Sequence, residues 1–211
     1  MISFEQALGM FQALSATPAM PMARLAGNDP TSICRVLDAG AYSVICPMIS
    51  SAEEARAFVS ACRYAPLGTR SYAPVRGQLY GGSDYFPHAN EEIVKMAMIE
   101  TRGGLDALDE ILAVEGLDGI FVGPNDLAIA LGQPPSSESD HPDVRNAIHT
   151  ICTRTRAKGK VAGILCSGPQ AALQRIEQGF NFVTCGGDIG LLTKVSRESV
   201  AAVRALSLIH I

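Results

Sequence analysis

The sequence has little of the charge that marks a nucleic-acid-binding or membrane-associated protein. Charged residues make up only 18% of the 211 positions, and 17 Lys and Arg against 21 Asp and Glu give a net charge of −4. This balance provides no basic footprint for nucleic acid or an anionic membrane. No apolar run reaches the length of a membrane span, and the N-terminal segment lacks the basic region of a secretory signal. We therefore expect a cytoplasmic protein whose partners include neither nucleic acid nor a membrane.

Paired cysteine motifs and dinucleotide motifs are also lacking. The six cysteines form no CxxC pair, and several lie within apolar runs that are typical of strands. This pattern favours buried free thiols in a reducing compartment over a disulfide framework. A Rossmann dinucleotide site is not indicated either, because no GxGxxG motif follows an early strand.

What the sequence does have is a regular alternation of short apolar runs and longer amphipathic ones. The apolar runs predict six strands covered on both faces by helices, at residues 20–26, 42–48, 94–100, 119–124, 160–166 and 180–186. The amphipathic segments predict helices, of which one spans residues 101–116. Residues 64–92, rich in Gly, Pro and Tyr, are expected to form a long irregular loop with a functional role. Strict alternation of β and α units predicts a parallel sheet, either doubly wound or closed as a barrel.

Two carboxylates follow neighbouring predicted strands. Glu100 ends one strand, and Asp126 follows the next strand across a Gly-Pro turn, 26 residues later. Because a barrel builds its active site where its strands end, we expect the two side chains to lie close together. Two carboxylates without a Cys or His partner suit a hard divalent cation such as Mg²⁺ or Mn²⁺. The alternative is that Asp126 caps the helix that follows it and that Glu100 is merely solvated.

Arg70 is a further candidate, in the segment PLGTRSYAP of the long irregular stretch. Beside a metal, its guanidinium could hold a carboxylate or stabilise an enolate oxygen. Taken alone, an arginine in a loop is more often a surface charge. The residues themselves leave both interpretations open.

Longer segments of the sequence resemble a known family. MIETRGGLDALDEILAVEGLDGIFVGPNDLAIALG, followed by HPDVRNAI, AKGKVAGILC and FVTCGGDIGLL, strongly resembles the HpcH/HpaI aldolase (aldolase/citrate lyase) family, from about Met20 to Leu206. The resemblance implies an α/β fold, a TIM (β/α)₈ barrel that is incomplete here, with about six of its eight strands. Residues 1–205 would form this partial barrel domain, without the family's first two strands and the histidine base that follows them. We interpret residues 206–211, LSLIHI, as a non-native tail, the alternative being a genuine apolar terminus that docks on a neighbour.

The resemblance also implies an activity and a set of site residues. It implies a metal-dependent class II aldolase, a carbon–carbon lyase that makes or cleaves 4-hydroxy-2-oxo acids through a pyruvate enolate. Glu100 and Asp126 match the family's metal ligands, so the implied cofactor is Mg²⁺, Mn²⁺ or another divalent ion. Arg70 matches the arginine that binds the 2-oxo or enolate oxygen, and Asn125 falls where a backbone N–H holds the pyruvate carboxylate. Met98 departs from the family's pattern, since many members carry Gln at that position.

The partners expected from the resemblance are a small 2-oxo acid and an aldehyde, with homo-oligomer formation in a full-length protein. Two alternatives to the aldolase remain. One is a CoA-ester lyase of the malyl-CoA or citryl-CoA type, against which the short spacing between MIET and GPNDL argues. The other is a catalytically inert fragment that binds metal but lacks its histidine base, and the missing histidine leads us to expect that the 211 residues taken alone are inactive.

Overall fold

The structure is a computed structural model that describes residues 2–207, with side chains to residue 205, and these residues form six strands and eleven helices. The strands are β1 (Met22–Arg24), β2 (Ser43–Cys46), β3 (Val94–Ile99), β4 (Gly119–Val122), β5 (Val161–Ile164) and β6 (Phe182–Val183). The helices are α1 (Phe4–Leu14), α2 (Pro30–Asp38), α3 (Ala52–Cys62), α4 (Val75–Gly81), α5 (Tyr85–Glu92), α6 (Arg102–Asp106), α7 (Leu108–Leu112), α8 (Pro124–Ala130), α9 (Pro142–Ala157), α10 (Pro169–Glu177) and α11 (Asp188–Ser207).

The six strands form one parallel sheet in sequence order, from β1 at one edge to β6 at the other. Each strand pairs in parallel with the next one along the chain, so that Met22 lies beside Ser43 and Ser43 beside Val94. Within the described residues β1 and β6 do not pair with each other, which leaves a half-barrel with two free edges. This confirms the prediction of an incomplete TIM barrel with six parallel strands.

Alternate strand residues point to opposite faces of the sheet and build two separate cores. The larger core lies between the sheet and the helices and includes Ala97 and Ile99 of β3. The smaller core covers the inner face of the half-barrel and consists of strand residues, namely Ile45, Met96, Met98 and Phe121. Met98, which stands where many relatives were expected to carry Gln, is therefore a packing residue of this inner face. Glu100 lies two residues after Met98 and therefore on the same inner face, directly after the end of β3.

Two local predictions needed correction. The single helix predicted over residues 101–116 is two short helices, α6 and α7, which meet at Ala107. Gly103 and Gly104 weaken helix formation there, and Gly104 is needed because an added Cβ would lie 2.4 Å from the Ile49 carbonyl oxygen. The stretch 64–92, expected to be irregular throughout, contains the helices α4 and α5.

All six cysteines are free, and burial raises the pKa of the Cys46 and Cys62 thiols to about 12.

Among residues 2–207, no helix combines the length and the apolar character needed to cross a membrane. The tail proposed for residues 206–211 lies outside the side chains that the structure describes, so its interpretation stays a prediction, as does the domain boundary at residue 205.

Candidate active site

Glu100 is a buried carboxylate held in place from two sides. It follows β3 directly, and only 2% of the residue is exposed. The backbone N–H of Met48, in the loop after β2, donates a hydrogen bond of 2.9 Å to Glu100 Oε1. On the other side, Oε2 packs against the backbone of Gly123, where an added Cβ would lie only 2.1 Å away. The carboxylate thus has one orientation, set by the loops that follow β2 and β4.

Asp126 lies at the same end of the sheet, in the first turn of α8. Helix α8 begins directly after β4, with Gly123 as its N-cap residue, so Asp126 is not the cap that the alternative interpretation required. Its charge reaches Glu100: burial raises the pKa of Glu100, the Met48 N–H lowers it, and the negative charge of Asp126 raises it further. The two predicted ligands, one buried and one exposed, therefore lie at the carboxyl ends of neighbouring strands, close enough for the charge of Asp126 to act on Glu100.

Asn125 contributes to the same helix start. The first helical hydrogen bond of α8 runs from the Leu127 N–H to the Gly123 carbonyl oxygen, at 3.0 Å. The N–H groups of Asn125 and Asp126 precede it and have no partner within the helix. The Asn125 side chain is engaged elsewhere, because its Oδ1 accepts a hydrogen bond of 3.3 Å from Ser137 Oγ. Its backbone, rather than its side chain, is the group free to face a ligand.

Arg70 lies elsewhere, which corrects the expectation that it stands beside the metal ligands. Its Nη2 donates to Asp38 Oδ1 at 2.7 Å and to Tyr85 Oη at 3.0 Å, and its guanidinium stacks 4.5 Å from the Tyr64 ring centroid. Asp38 ends α2, which has returned to the end of the sheet where the strands begin, opposite Glu100. The alternative of a surface charge is also excluded, since the Arg70 side chain is 0% exposed.

The arginine that does lie near the carboxylates is Arg24, which the sequence reasoning missed. It is the last residue of β1, pairs in register with the inward-facing Ile45, and is exposed. Its positive charge lowers the pKa of Glu100, which places the two charges within electrostatic reach. The signal that identified Glu100, a polar residue at the end of an apolar run, was present for Arg24 in MPMARLA as well.

The residues at this end of the sheet fit a hard divalent cation. Among the side chains of residues 2–205, no three of His, Cys, Asp or Glu cluster as a metal cage, and the candidate ligands at this end are the carboxylates of Glu100 and Asp126. Mg²⁺ in particular is commonly held by one or two carboxylates and keeps several waters, which a substrate can displace. The close approach of Gly123 and the bond from Met48 hold the Glu100 carboxylate in place and out of bulk solvent.

A parallel half-barrel with polar side chains at the carboxyl ends of its strands has the architecture of a TIM-barrel enzyme, whose active site lies at that end. The chain belongs to the HpcH/HpaI aldolase/citrate lyase family, whose model matches residues 3–194. Proteins of this family generally depend on a divalent metal.

Individual relatives agree with the family. The chain is 42% identical over 205 residues to a hydroxypyruvate/pyruvate aldolase of Rhizorhabdus wittichii, covering 97% of this chain and 82% of that protein. It is 39% identical over 188 residues to a 5-keto-4-deoxy-D-glucarate aldolase of Escherichia coli, covering 88% and 73%. A crystal structure of a family member from Burkholderia cenocepacia superposes with a TM-score of 0.88 at 30% identity, covering 96% of this chain and 81% of the other. The family and its aldolase relatives show that the chain is a lyase of the aldolase class.

Proposed function

We propose that the protein is a class II aldolase that makes or cleaves 4-hydroxy-2-oxo acids through a pyruvate-type enolate. The observation that carries the proposal is the buried Glu100 carboxylate, which accepts the Met48 N–H and lies within electrostatic reach of Asp126. Glu100 and Asp126 would hold the cation, for which we propose Mg²⁺ or Mn²⁺. When bound, the cation supplies a Lewis acid that polarises the 2-oxo group and favours the enolate.

The chain's own residues have separate tasks in this proposal. The N–H groups of Asn125 and Asp126, at the start of α8, donate to the carboxylate of the 2-oxo acid. Arg24, rather than Arg70, donates to the 2-oxo oxygen and stabilises the charge that develops there. Arg24 is exposed at the correct end of the sheet, whereas the Arg70 guanidinium is already paired with Asp38.

A Schiff-base mechanism has no support among the strands. Lys95 is the one lysine within β1 to β6, and its ammonium is bound to Asp118 at 3.0 Å and to the Ile93 carbonyl oxygen. Because Lys95 alternates with the inner-facing Met96, it points toward the helices and away from the candidate site. This supports an aldolase that uses a cation in place of a covalent imine.

The named activities of the relatives define the substrates to test first. We propose pyruvate or hydroxypyruvate as the 2-oxo acid, since the first of the two aldolase relatives carries both names. The second component would be a small aldehyde. The expected homo-oligomer remains a prediction, to be tested by light scattering on the purified chain.

The proposal can be tested by metal binding and by turnover measured on the same samples. Isothermal titration calorimetry with Mn²⁺ should show one site, and Glu100→Gln and Asp126→Asn should each weaken binding at least tenfold. Asp143→Asn is the matched control, because Asp143 also lies in a helix first turn behind a proline and is exposed. Metal-dependent release of pyruvate from a 4-hydroxy-2-oxo acid should disappear in the first two variants and persist in the control. Equal Mn²⁺ affinity in all four proteins would refute the assignment of the ligands.

The same assay separates the two alternatives. A CoA-ester lyase would release its product from malyl-CoA or citryl-CoA and not from a 4-hydroxy-2-oxo acid. The inert fragment predicted as an alternative would bind Mn²⁺ at Glu100 and Asp126 without releasing pyruvate. The aldolase relatives, at 42% and 39% identity, favour the release of pyruvate from a 4-hydroxy-2-oxo acid.

A further inference from the structure

Met48 has a backbone conformation that is unusual for its residue type. Its φ is 60°, and within the described residues it is the one residue other than glycine with a positive φ. In this left-handed conformation the Cβ of an L-residue makes an unfavourable contact with the backbone, which glycine avoids because it has no Cβ. Asn and Asp can offset the strain with local hydrogen bonds, but the thioether of Met cannot. The conformation therefore has to be maintained by its surroundings.

Packing of the Met48 side chain is not what maintains it. The residue is 56% exposed, although its neighbour Ile49 is 1% exposed. Instead, both polar groups of the Met48 backbone form hydrogen bonds. Its N–H donates to Glu100 Oε1 at 2.9 Å, and its carbonyl oxygen accepts from Ser50 Oγ at 3.1 Å. Ser50 Oγ also lies 2.8 Å from Thr101 Oγ1, next to Glu100.

These contacts join the loop after β2 to the loop after β3 at two adjacent points. The hydrogen bond between Ser50 Oγ and Thr101 Oγ1 ties the two loops together, and the Met48 N–H binds the Glu100 carboxylate itself. A Met48 backbone with negative φ would rotate its peptide group and direct the N–H away from Oε1. The strained conformation is thus the one that keeps a donor on the buried carboxylate.

We propose that Met48 is a positioning residue, whose left-handed backbone orients the Glu100 carboxylate for a divalent cation. The proposal rests on the proposed function, in which Glu100 is a metal ligand. The N–H occupies one lone pair of Oε1 and fixes the rotation of the carboxylate plane, so that the remaining lone pairs face one direction. Oriented outer partners of this kind are known to change metal affinity by about 10- to 100-fold.

The proposal separates the backbone of Met48 from its side chain, and four substitutions test this. Met48→Gly and Met48→Asn favour positive φ, and Met48→Leu keeps a side chain of similar size without branching at Cβ. All three should keep the Mn²⁺ dissociation constant of the wild type to within about threefold. Met48→Val is branched at Cβ and strongly disfavours positive φ, so it should weaken Mn²⁺ binding by about tenfold or more.

Calorimetric titration of the whole chain with Mn²⁺, without substrate, is the readout, and thermal unfolding shows which variants are folded. If Met48→Val does not fold, an ester at residue 48 replaces it, made by in vitro translation with the α-hydroxy analogue of leucine. In this ester an oxygen replaces the N–H while the side chain stays that of leucine, and Met48→Leu is its matched amide control. A tenfold weaker Mn²⁺ affinity in the ester than in Met48→Leu supports the proposal.

Three results would overturn it. Unchanged Mn²⁺ affinity in Met48→Val or in the ester would show that the N–H does not orient the ligand. Equal losses in Met48→Gly and Met48→Val would show that the side chain, rather than the backbone, matters. Wild-type protein that binds no Mn²⁺ would refute the proposed function together with this inference, whereas wild-type binding with an insensitive residue 48 would refute the inference alone.

Discussion

Gly123 is the position where a single methyl group should disable the site. Its φ of −96° and ψ of 90° are open to any L-residue, so alanine would cause no backbone strain there. The added Cβ, however, would lie 2.1 Å from Glu100 Oε2 and 3.1 Å from Glu100 Cβ. Non-bonded carbon and oxygen atoms need at least 3.0 Å, so the Glu100 carboxylate has to retreat by about an ångström, although the residue is only 2% exposed.

The cost of Gly123→Ala can be estimated in two ways. Overpacking a well-packed site costs about 1–3 kcal/mol of folding free energy. A misplacement of about 1 Å at a reacting centre lowers turnover by about 10²-fold. We therefore expect pyruvate release about 100-fold slower and Mn²⁺ binding about tenfold weaker, with a urea unfolding midpoint that remains measurable.

Gly168→Ala is the matched control for this change. Gly168 also stands between a strand and a helix that begins with proline, its φ of 178° is extended, and nothing lies within 4 Å of an added Cβ. It should keep wild-type Mn²⁺ affinity. Wild-type affinity and turnover in Gly123→Ala as well would show that the Glu100 carboxylate is not confined as the structure indicates.

Two further predictions concern the buried charges. Arg70→Met should lower the free energy of unfolding by about 3 kcal/mol in urea titrations, because it leaves the mostly buried Asp38 without its partner. The Mn²⁺ affinity of this variant should be unchanged. A loss of Mn²⁺ affinity in folded protein would return Arg70 to the metal site. Because burial raises the pKa of Glu100 above its ordinary value of 4.5, the folded protein holds this proton more tightly than the unfolded chain. Its stabilising contribution is therefore present below pH 4.5 and lost as pH rises through the raised pKa. In EDTA, Glu100→Gln should melt higher than wild type at pH 7 but not at pH 4, and a wild-type advantage at pH 7 would contradict the burial argument.

The parts of the fold that the sequence predicts are those with a local signal. Each of the six predicted apolar runs contains an observed strand, because a strand covered on both faces must be apolar along its length. The position of Glu100 and Asp126 at the same end of the sheet was also accessible, since Glu100 ends such a run and Asp126 follows the next one across Gly123 and Pro124. Their role as metal ligands stays a prediction. The length of a strand was less accessible: residues 180–186 contain a strand of only two residues, Phe182–Val183, at the free edge of the sheet.

The errors concern residues whose position depends on the path of the chain between strands. Arg70 follows α3, which has already carried the chain back to the end of the sheet where strands begin, so sequence distance from β2 gave no measure of its distance from Glu100. The conformation of Met48 could not be predicted from the sequence either. A positive φ is indicated in a sequence by Gly or Asn, and this position carries neither.

The two arginines show how this fold separates stability from chemistry. In a parallel barrel the strand starts and the strand ends lie on opposite sides, and the helices connect them. At the strand starts, Arg70 is buried and paired with Asp38, so its charge is balanced within the protein and holds α2 against the segment after α3. At the strand ends, Arg24 is exposed beside a carboxylate whose pKa is raised by burial and by a second carboxylate. That end sets the carboxylates of Glu100 and Asp126 against Arg24, and in the proposed function a divalent cation with an anionic substrate would balance their charges. The same residue type is therefore structural at one end and available for binding at the other, and only its partners tell the two roles apart.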